Sequence, residues 1–198
     1  MIHLNLVVED LLSEAIARRL LSIAEDRMVV ATVKIAGGYG EIGKRISAYN
    51  RAAKAVPFFI LADLDRDKGA CAPQLRKAWL PHGTNPLLLF RIAVPQVEAW
   101  LLADQEGVAT FLGIAPDLVP LAPEALPDPK ATLIKLAKHS PKAFLRRALL
   151  PAPGSDARLG PGYNIQLSRF AQSTWNLSRA RRASVSLDRA IKALDRFP

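Results

Sequence analysis

Four runs of apolar residues, rich in β-branched and aromatic side chains, are spaced along the first half of the chain. Their length and composition predict buried β-strands over residues 2–8, 28–35, 56–62 and 87–94. The segments between them have helical character, and we predict helices over residues 11–25, from the glycine-rich turn at 37–40 to residue 55, over 73–80, and from Pro95 to about Asp104. This alternation of strand and helix predicts a parallel sheet covered by helices.

A different pattern begins after residue 105. Five prolines within residues 114–129 indicate an irregular connector. Asp128-Pro129 and Ser140-Pro141 each place a capping residue before a proline, which predicts helices over 129–139 and 141–150. After a loop over 151–162 we predict two amphipathic helices, whose apolar stripes are Leu167, Phe170, Ala171 and Thr174, and Leu187, Ala190, Ile191 and Leu194.

The predicted fold class is α/β. Residues 1–105 should form a four-stranded, mostly parallel, Rossmann-like sheet flanked by helices, and residues 106–198 a Pro-rich connector and a basic α-helical C-terminal region. No run of 18 apolar residues exists, and His3 and Glu9 fall where a signal peptide needs an apolar core. We therefore expect a cytoplasmic protein without a membrane partner.

Charge is unevenly distributed along the chain. Residues 1–129 hold 13 Lys and Arg against 15 Asp and Glu, a balance of −2, whereas residues 130–198 hold 14 against 3, a balance of +11. A region this basic is typical of proteins that bind a polyanion, and nucleic acid is the partner we expect; the alternative is a solvated positive face. The closely spaced basic residues are Arg179, Arg181 and Arg182, placed between the last two helices, and Lys135, Lys138, Lys142, Arg146 and Arg147 in the earlier pair.

Three carboxylates, Asp63, Asp65 and Asp67, follow the third predicted strand directly. On an extended backbone Asp63 and Asp65 point the same way, and at about 4 Å two carboxylates repel by roughly 4 kcal/mol at an effective dielectric near 20. A divalent cation would offset this repulsion; the alternative is a solvated acidic turn. A calcium loop is excluded because Lys68 stands where that loop needs glycine and Gln74 where it needs glutamate.

Two further acids, like Asp63 and Asp65, lie just after predicted strands. Glu9 follows the first predicted strand, and Glu98 is the one charged residue within residues 92–103. Glu98 could simply complement the dipole of its helix. However, the carboxyl ends of parallel strands meet at one edge of a sheet, so all these acids can converge in one crevice. With a single cysteine and three histidines in the chain, a metal there would be held mainly by oxygen, which favours Mg²⁺, Mn²⁺ or Ca²⁺.

Residues 38–44, GYGEIGK, have the spacing of a phosphate-binding loop and lie between a strand and a helix. Arg45 stands where such a loop needs the Ser or Thr that binds magnesium. Because of this mismatch, a nucleotide-binding site at residues 38–44 is only an alternative hypothesis. The same glycines would also let backbone N–H groups, with Lys44 and Arg45 beside them, approach a nucleic-acid phosphate.

Taken together, these features resemble a known family. An acid after the first strand (VVED, Glu9), a D-x-D motif after the third (ADLD, Asp63 and Asp65) and four rounds of strand and helix resemble the toprim domain shared by topoisomerases, primases, and OLD and RloB-type nucleases. The segment VEAWLLAD, with Glu98 and Trp100, is similar to the acidic, tryptophan-bearing segment of small stand-alone RloB-like proteins, which are often encoded beside an ATPase in bacterial defence loci.

This resemblance covers about residues 1–105 and has two departures. Asp10 stands where toprim domains have glycine, and the following acid, Glu14, comes one residue later than usual. No tyrosine-nucleophile module or zinc ribbon accompanies the domain, which argues against topoisomerase and primase activity. His139 and Tyr163 are predicted to be structural residues.

The resemblance implies a metal-dependent nuclease that acts on DNA or RNA, in defence against phage or plasmids. Glu9, Asp63 and Asp65, joined by Glu98, would hold one or two Mg²⁺ or Mn²⁺ ions, which activate a water and stabilise the leaving oxygen; Glu9 is alternatively a general base. The residues predicted to bind the nucleic acid are Lys44, Arg45, Arg179, Arg181 and Arg182. The alternative from a different class is a non-catalytic partner or sensor subunit of an ATPase.

Overall fold

A four-stranded, all-parallel sheet lies at the centre of the protein, with strand order β2-β1-β3-β4. The computed structural model describes residues 1–64 and 71–198. The strands are β1 (Ile2–Val8), β2 (Met28–Ile35), β3 (Phe58–Asp63) and β4 (Leu88–Ala93). The predicted α/β class is confirmed, and the sheet is wholly parallel. The predictions made for Asp65, Asp67 and Lys68 lie outside the described residues.

Helices flank both faces of the sheet. Before residue 105 they are α1 (Leu11–Leu21), α2 (Tyr39–Ala52), α3 (Ala72–Trp79) and α4 (Val97–Leu102). After it they are α5 (Gln105–Leu112), α6 (Pro129–Lys138), α7 (Ala143–Leu149), α8 (Tyr163–Ser173), α9 (Leu177–Ala183) and α10 (Val185–Asp195). Among the described residues, no helix combines the length and apolar character needed to cross a bilayer.

Successive side chains of the strands point to opposite faces of the sheet and belong to two separate hydrophobic clusters. Leu4 and Leu6 of β1 pack with α1, α4 and the C-terminal helices, whereas Val7 packs with α2 and α3 on the opposite face. This alternation is the two-residue period of a strand, and because both faces are covered, the central strands β1 and β3 are mostly apolar. Phe170 of α8 and Ile191 of α10 lie in the same cluster as Leu4. The C-terminal region therefore shares a core with the first 105 residues.

Two predictions about helix position are wrong. Pro95 does not begin a helix: its carbonyl accepts a hydrogen bond at 2.9 Å from Leu64 N–H, just after β3, and α4 begins only at Val97. The clustered arginines 179, 181 and 182 do not lie between helices but within α9, where Asn176 caps the helix by accepting a hydrogen bond from Arg179 N–H.

Helix α5 was not predicted, although its end signals are present in the sequence. The Asp104 side chain caps its first turn by accepting a hydrogen bond from Gly107 N–H at 3.1 Å. Gly113 ends it with a φ of 73°, a left-handed conformation that suits glycine. The helix continues the chain directly from α4 and brings Asp104 into the core, where its side chain is fully buried.

Candidate active site

Three predicted acids meet at the carboxyl edge of the sheet. Glu9 follows β1, Asp63 is the last residue of β3, and Glu98 lies in the first turn of α4, just beyond β4. Since β3 lies between β1 and β4 in the sheet, the ends of these three parallel strands are neighbours. The topology therefore brings together residues that are far apart in sequence, as predicted from the strand pattern.

Backbone hydrogen bonds fix the positions of these acids relative to one another. The Glu9 carboxylate accepts a hydrogen bond from Asp63 N–H at 2.7 Å. Asp63 in turn accepts one at Oδ1 from Val97 N–H at 2.9 Å, at the start of the helix that carries Glu98. The three strand ends are thus linked through carboxylates, and each of these two bonds stabilises an ionised acceptor.

Glu98 is the most deeply buried of the three, with 1 % of the residue exposed. Its Oε1 atom accepts a hydrogen bond from the Tyr163 hydroxyl at 3.1 Å and lies 3.3 Å from the Lys130 ammonium. Its Oε2 atom is buried and has no hydrogen-bond partner among the described residues. A buried carboxylate oxygen without a partner is costly, so this atom needs a proton or a cation.

Burial and mutual repulsion shift the proton affinities of the cluster. Burial raises the pKa of Asp63 well above its ordinary value, and the negative charges of Glu98 and Glu9 raise it further. Burial also raises the pKa of Glu98, although the neighbouring Lys130 opposes this shift. Burial would lower the pKa of Lys130, but the carboxylates of Glu98 and Asp63 outweigh it and the pKa is raised. Lys130 therefore stays charged beside the acids.

Tyr163 stays neutral at physiological pH. Burial and the adjacent Glu98 carboxylate both raise its pKa above the ordinary tyrosine value. The phenol therefore keeps its proton and acts as a hydrogen-bond donor to Glu98. This contact and the Lys130 ion pair were missed from the sequence, where Tyr163 was predicted to be structural. No pattern marks either residue, because both come from helices that reach Glu98 only through tertiary packing.

The donor set fits a hard divalent cation in part. Across residues 1–64 and 71–198, no three Asp, Glu, His or Cys side chains are placed so that they could hold a metal ion by themselves. Asp65, the third ligand predicted from the sequence, lies outside the described residues. The partnerless Oε2 of Glu98 beside Asp63 is the feature that fits a cation, and carboxylate oxygens are the donors that Mg²⁺ and Mn²⁺ prefer.

A cavity of about 720 Å³ is lined by Lys130, the residue that pairs with Glu98. Four basic residues line it, and we call it the basic groove: Lys130, Lys135, Lys138 and Arg158. Asp128 is the one acidic residue among its described lining residues, and its side chain caps α6 by accepting a hydrogen bond from Ala131 N–H at 2.8 Å. The lining of the groove thus carries a net positive charge, and Lys130 joins it to the negative cluster.

Of the five residues predicted to bind nucleic acid, three form ion pairs with acidic side chains and two are exposed. Arg179 contacts the buried Asp104 at 2.6 Å, Arg181 lies 2.7 Å from Asp188, and Lys44 lies 2.6 Å from Glu41. Ion pairs therefore partly neutralise these three. Arg45 and Arg182 are exposed. A role of these five residues in binding nucleic acid stays a prediction, as does the phosphate-loop hypothesis for residues 38–44.

Searches of protein-family models, curated proteins and solved structures found no match to this chain. The resemblance of residues 1–105 to toprim domains accordingly stays a prediction. The structure itself establishes the parallel α/β fold and the convergence of Glu9, Asp63 and Glu98 at one edge of the sheet.

Proposed function

We propose that this protein is a toprim-like, metal-dependent phosphodiesterase that cleaves nucleic acid and acts in bacterial defence. The observation that carries the proposal is the buried, partnerless Oε2 of Glu98 beside Asp63, whose pKa is raised by burial and by the charges of Glu98 and Glu9. Like charges held together in this way destabilise a fold, and such arrangements concentrate at functional sites. A divalent cation would relieve both the repulsion and the missing contact.

Four carboxylates would hold the ion: Glu9, Asp63 and Glu98, with Asp65 from outside the described residues. When bound, Mg²⁺ or Mn²⁺ supplies a nucleophile at neutral pH and charge stabilisation at the leaving oxygen. The protein's own contribution is to fix the carboxylates through Asp63 N–H and Val97 N–H before the substrate arrives. In the alternative form of the proposal, Glu9 is the general base that accepts the proton of the attacking water.

Lys130 and Tyr163 orient the Glu98 side chain, and both oppose the rise in its pKa that burial causes. Both contact Oε1, and Oε2 is left buried without a hydrogen-bond partner among the described residues. The Lys130 ammonium also feels the charges of Asp63 and Asp10, so it is close enough to the acids to attract a phosphate group toward them. The site therefore combines ligands for a cation with a resident positive charge for the substrate.

A cleavage assay tests the proposal. Labelled single-stranded and duplex DNA and RNA would be incubated with wild-type protein and Asp63→Asn in Mg²⁺, Mn²⁺ or EDTA. Asn retains the oxygen that accepts the Val97 hydrogen bond but loses the charge. We expect metal-dependent cutting by the wild type that falls by at least about a hundredfold in Asp63→Asn. Equal cutting by the two proteins, or cutting unaffected by EDTA, would overturn the proposal.

Asp188→Asn is the matched control for this assay. Asp188 lies on α10, and its carboxylate pairs with Arg181 and Lys192 rather than with the acidic cluster. The substitution removes the same charge and should leave cutting unchanged. If Asp188→Asn lost activity as Asp63→Asn does, the loss would reflect a general effect on the fold and the assignment of Asp63 would fail.

The second candidate function is a non-catalytic subunit that docks onto an ATPase. Strand β2 favours it, because it forms one edge of the sheet and exposes Val29 and Ile35 by 41 % and 43 %. An exposed apolar edge strand is a common docking element. This function predicts metal-independent binding to an ATPase encoded nearby, lost in Val29→Lys and kept in Asp63→Asn. Loss of binding in Asp63→Asn alone would exclude it.

A further inference from the structure

We infer that the basic groove binds the sugar–phosphate backbone of a single strand of nucleic acid and leads it to the carboxylate cluster. This inference deepens the proposed function and rests on it for the identity of the substrate. The residues that carry it belong to α6 and to the loop before α8, which are outside the region that resembles toprim domains. Lys135 and Lys138 belong to a basic cluster already noted in the sequence, whereas Lys130 and Arg158 were not among the basic residues singled out there.

Helix α6 has one face in the core and the other in the groove. Leu133, Leu136 and Ala137 are buried, whereas Lys130, Ile134 and Lys138, at the i, i+4, i+8 spacing of one helix face, line the groove with Lys135 beside them. The helix contains no acidic residue. From Lys130 to Lys138 it rises by about 12 Å, so its lysines form a row along the groove.

The positive charges of this row are available to a ligand. Lys135, Lys138 and Arg158 are exposed, and within the described parts of the chain none of the three forms an ion pair with a carboxylate. This contrasts with Arg179 and Arg181, whose charges are engaged by Asp104 and Asp188. Clustered cations without counter-ions repel one another, and a polyanion relieves that repulsion.

The groove is continuous with the acidic cluster through Lys130. The same side chain that lines the groove lies 3.3 Å from Glu98 Oε1. Pro95 and Gln96 also line the groove, and they immediately precede Val97, whose N–H donates to Asp63. A strand whose phosphates contact Lys138 and Lys135 would therefore pass Lys130 and place its next phosphate at the acids.

The size of the groove indicates a single strand rather than a duplex. A volume of about 720 Å³ lies within the range of roughly 300–1,000 Å³ that is usual for small-molecule sites. Such a space accepts a few nucleotides of one strand, and it is small beside a duplex, whose major groove alone is about 12 Å wide. Ile134 and Leu159 supply apolar surface for sugars and bases between the charged residues.

Fluorescence anisotropy with a labelled 20-nucleotide single strand, in EDTA so that no cutting occurs, tests the inference. The variant Lys135→Glu/Lys138→Glu reverses two groove charges. Lys34→Glu/Lys54→Glu makes the same change of net charge at two exposed positions, on the edge strand β2 and after α2. We expect the groove variant to bind about tenfold more weakly than this control, with a shallower dependence of affinity on salt. Arg158→Glu is the independent second variant.

The outcomes separate this inference from the proposed function. If the groove variants bind as the control does, or if a blunt duplex of the same sequence binds the wild type as tightly as the single strand, the groove assignment is wrong whatever the activity. Asp63→Asn should bind the single strand as the wild type does in EDTA and yet not cut it in Mg²⁺. If Asp63→Asn cuts normally while the groove variants lose binding, the proposed catalytic site fails and the groove assignment stands.

Discussion

The Tyr163 hydroxyl donates a hydrogen bond of 3.1 Å to the Glu98 carboxylate, from a helix 65 positions further along the chain. Lys130 approaches the same oxygen from α6. The C-terminal region therefore supplies two side chains that contact the Glu98 carboxylate, and it does more than cover the sheet. This relationship makes the charge state of a strand-edge acid depend on the packing of two distant helices.

Tyr163→Phe tests this dependence. Removing the hydroxyl leaves a buried carboxylate oxygen with only the Lys130 contact, which should lower the free energy of unfolding by about 1–3 kcal/mol. Urea denaturation at pH 7.5 would measure the change. Tyr49→Phe is the matched control, because the Tyr49 ring packs against Phe58 and its hydroxyl has no hydrogen bond in the described residues. In Glu98→Gln the effect of Tyr163→Phe should shrink, and equal effects in both backgrounds would contradict the coupling.

The sequence was sufficient to predict the strands and the class of fold. β3 is buried on both faces from Phe58 to Ala62, and β1 from Leu6 to Val8, so their apolar runs stand out against the helices. The start of α4 was misplaced because Pro95 is a common first residue of helices, and only the hydrogen bond from Leu64 N–H to its carbonyl, a tertiary contact, keeps it out of one. Helix α5 was missed although Asp104 and Gly113 signal its ends.

Part of the candidate site was also predictable. Glu9, Asp63 and Glu98 each follow a strand, and the rule that parallel strand ends share one edge was enough to bring them together. Lys130 and Tyr163 were not predictable from the sequence. Their positions depend on how α6 packs onto α4 and how α8 packs onto α1. Periodicity indicates which helix face is buried but not which element covers it.

Asp63→Asn should stabilise the protein at neutral pH. A folded-state pKa raised above the unfolded value of about 3.9 means that the folded state binds the proton more tightly. Wild-type stability should therefore fall as the pH rises from about 4 toward the raised pKa, by up to about 1.4 kcal/mol per pH unit. In EDTA, the stability of Asp63→Asn should not show this dependence on pH. At pH 7.5 its free energy of unfolding should exceed that of the wild type. Urea denaturation from pH 4 to 8 measures both curves.

Asp188→Asn provides a control of opposite sign for the pH series. Lys192 and Arg181 hold the pKa of Asp188 below its ordinary value, so its contribution to stability is present above about pH 4 and is lost as the pH falls. The variant should be less stable than the wild type at neutral pH and equal to it in acid. If Asp63→Asn behaves in the same direction as Asp188→Asn, the like-charge interpretation of the cluster is wrong.

Mn²⁺ should raise the melting temperature of the wild type. A ligand that binds only the folded state stabilises it by about 2.7 kcal/mol at one hundred times its dissociation constant. For a chain of this length that corresponds to roughly 5–10 °C. Differential scanning fluorimetry with increasing Mn²⁺ would show the shift, which Asp63→Asn and Glu9→Gln should reduce and Asp188→Asn should keep. Equal shifts in all four proteins would place the metal elsewhere.

Arg179→Ala tests whether Arg179 stabilises the fold rather than contacting nucleic acid. Its guanidinium donates to both oxygens of Asp104, at 2.6 and 3.1 Å, and Asp104 also accepts from Gly107 N–H and Asn176 N–H. The Asp104 side chain is fully buried and that of Arg179 is 38 % exposed. We expect Arg179→Ala to lower the free energy of unfolding by about 1–3 kcal/mol. This is less than the roughly 3–5 kcal/mol lost when one partner of a wholly buried ion pair is removed.

Arg182→Ala on the same helix is the control for this last substitution. Arg182 is exposed, so its removal should change the free energy of unfolding by less than about 0.5 kcal/mol. Binding of the labelled single strand by folded Arg179→Ala should match the wild type, because the Arg179 charge is already engaged by Asp104. If instead Arg179→Ala is as stable as Arg182→Ala and binds the strand more weakly, the ion pair with Asp104 is dispensable and Arg179 belongs to the nucleic-acid interface.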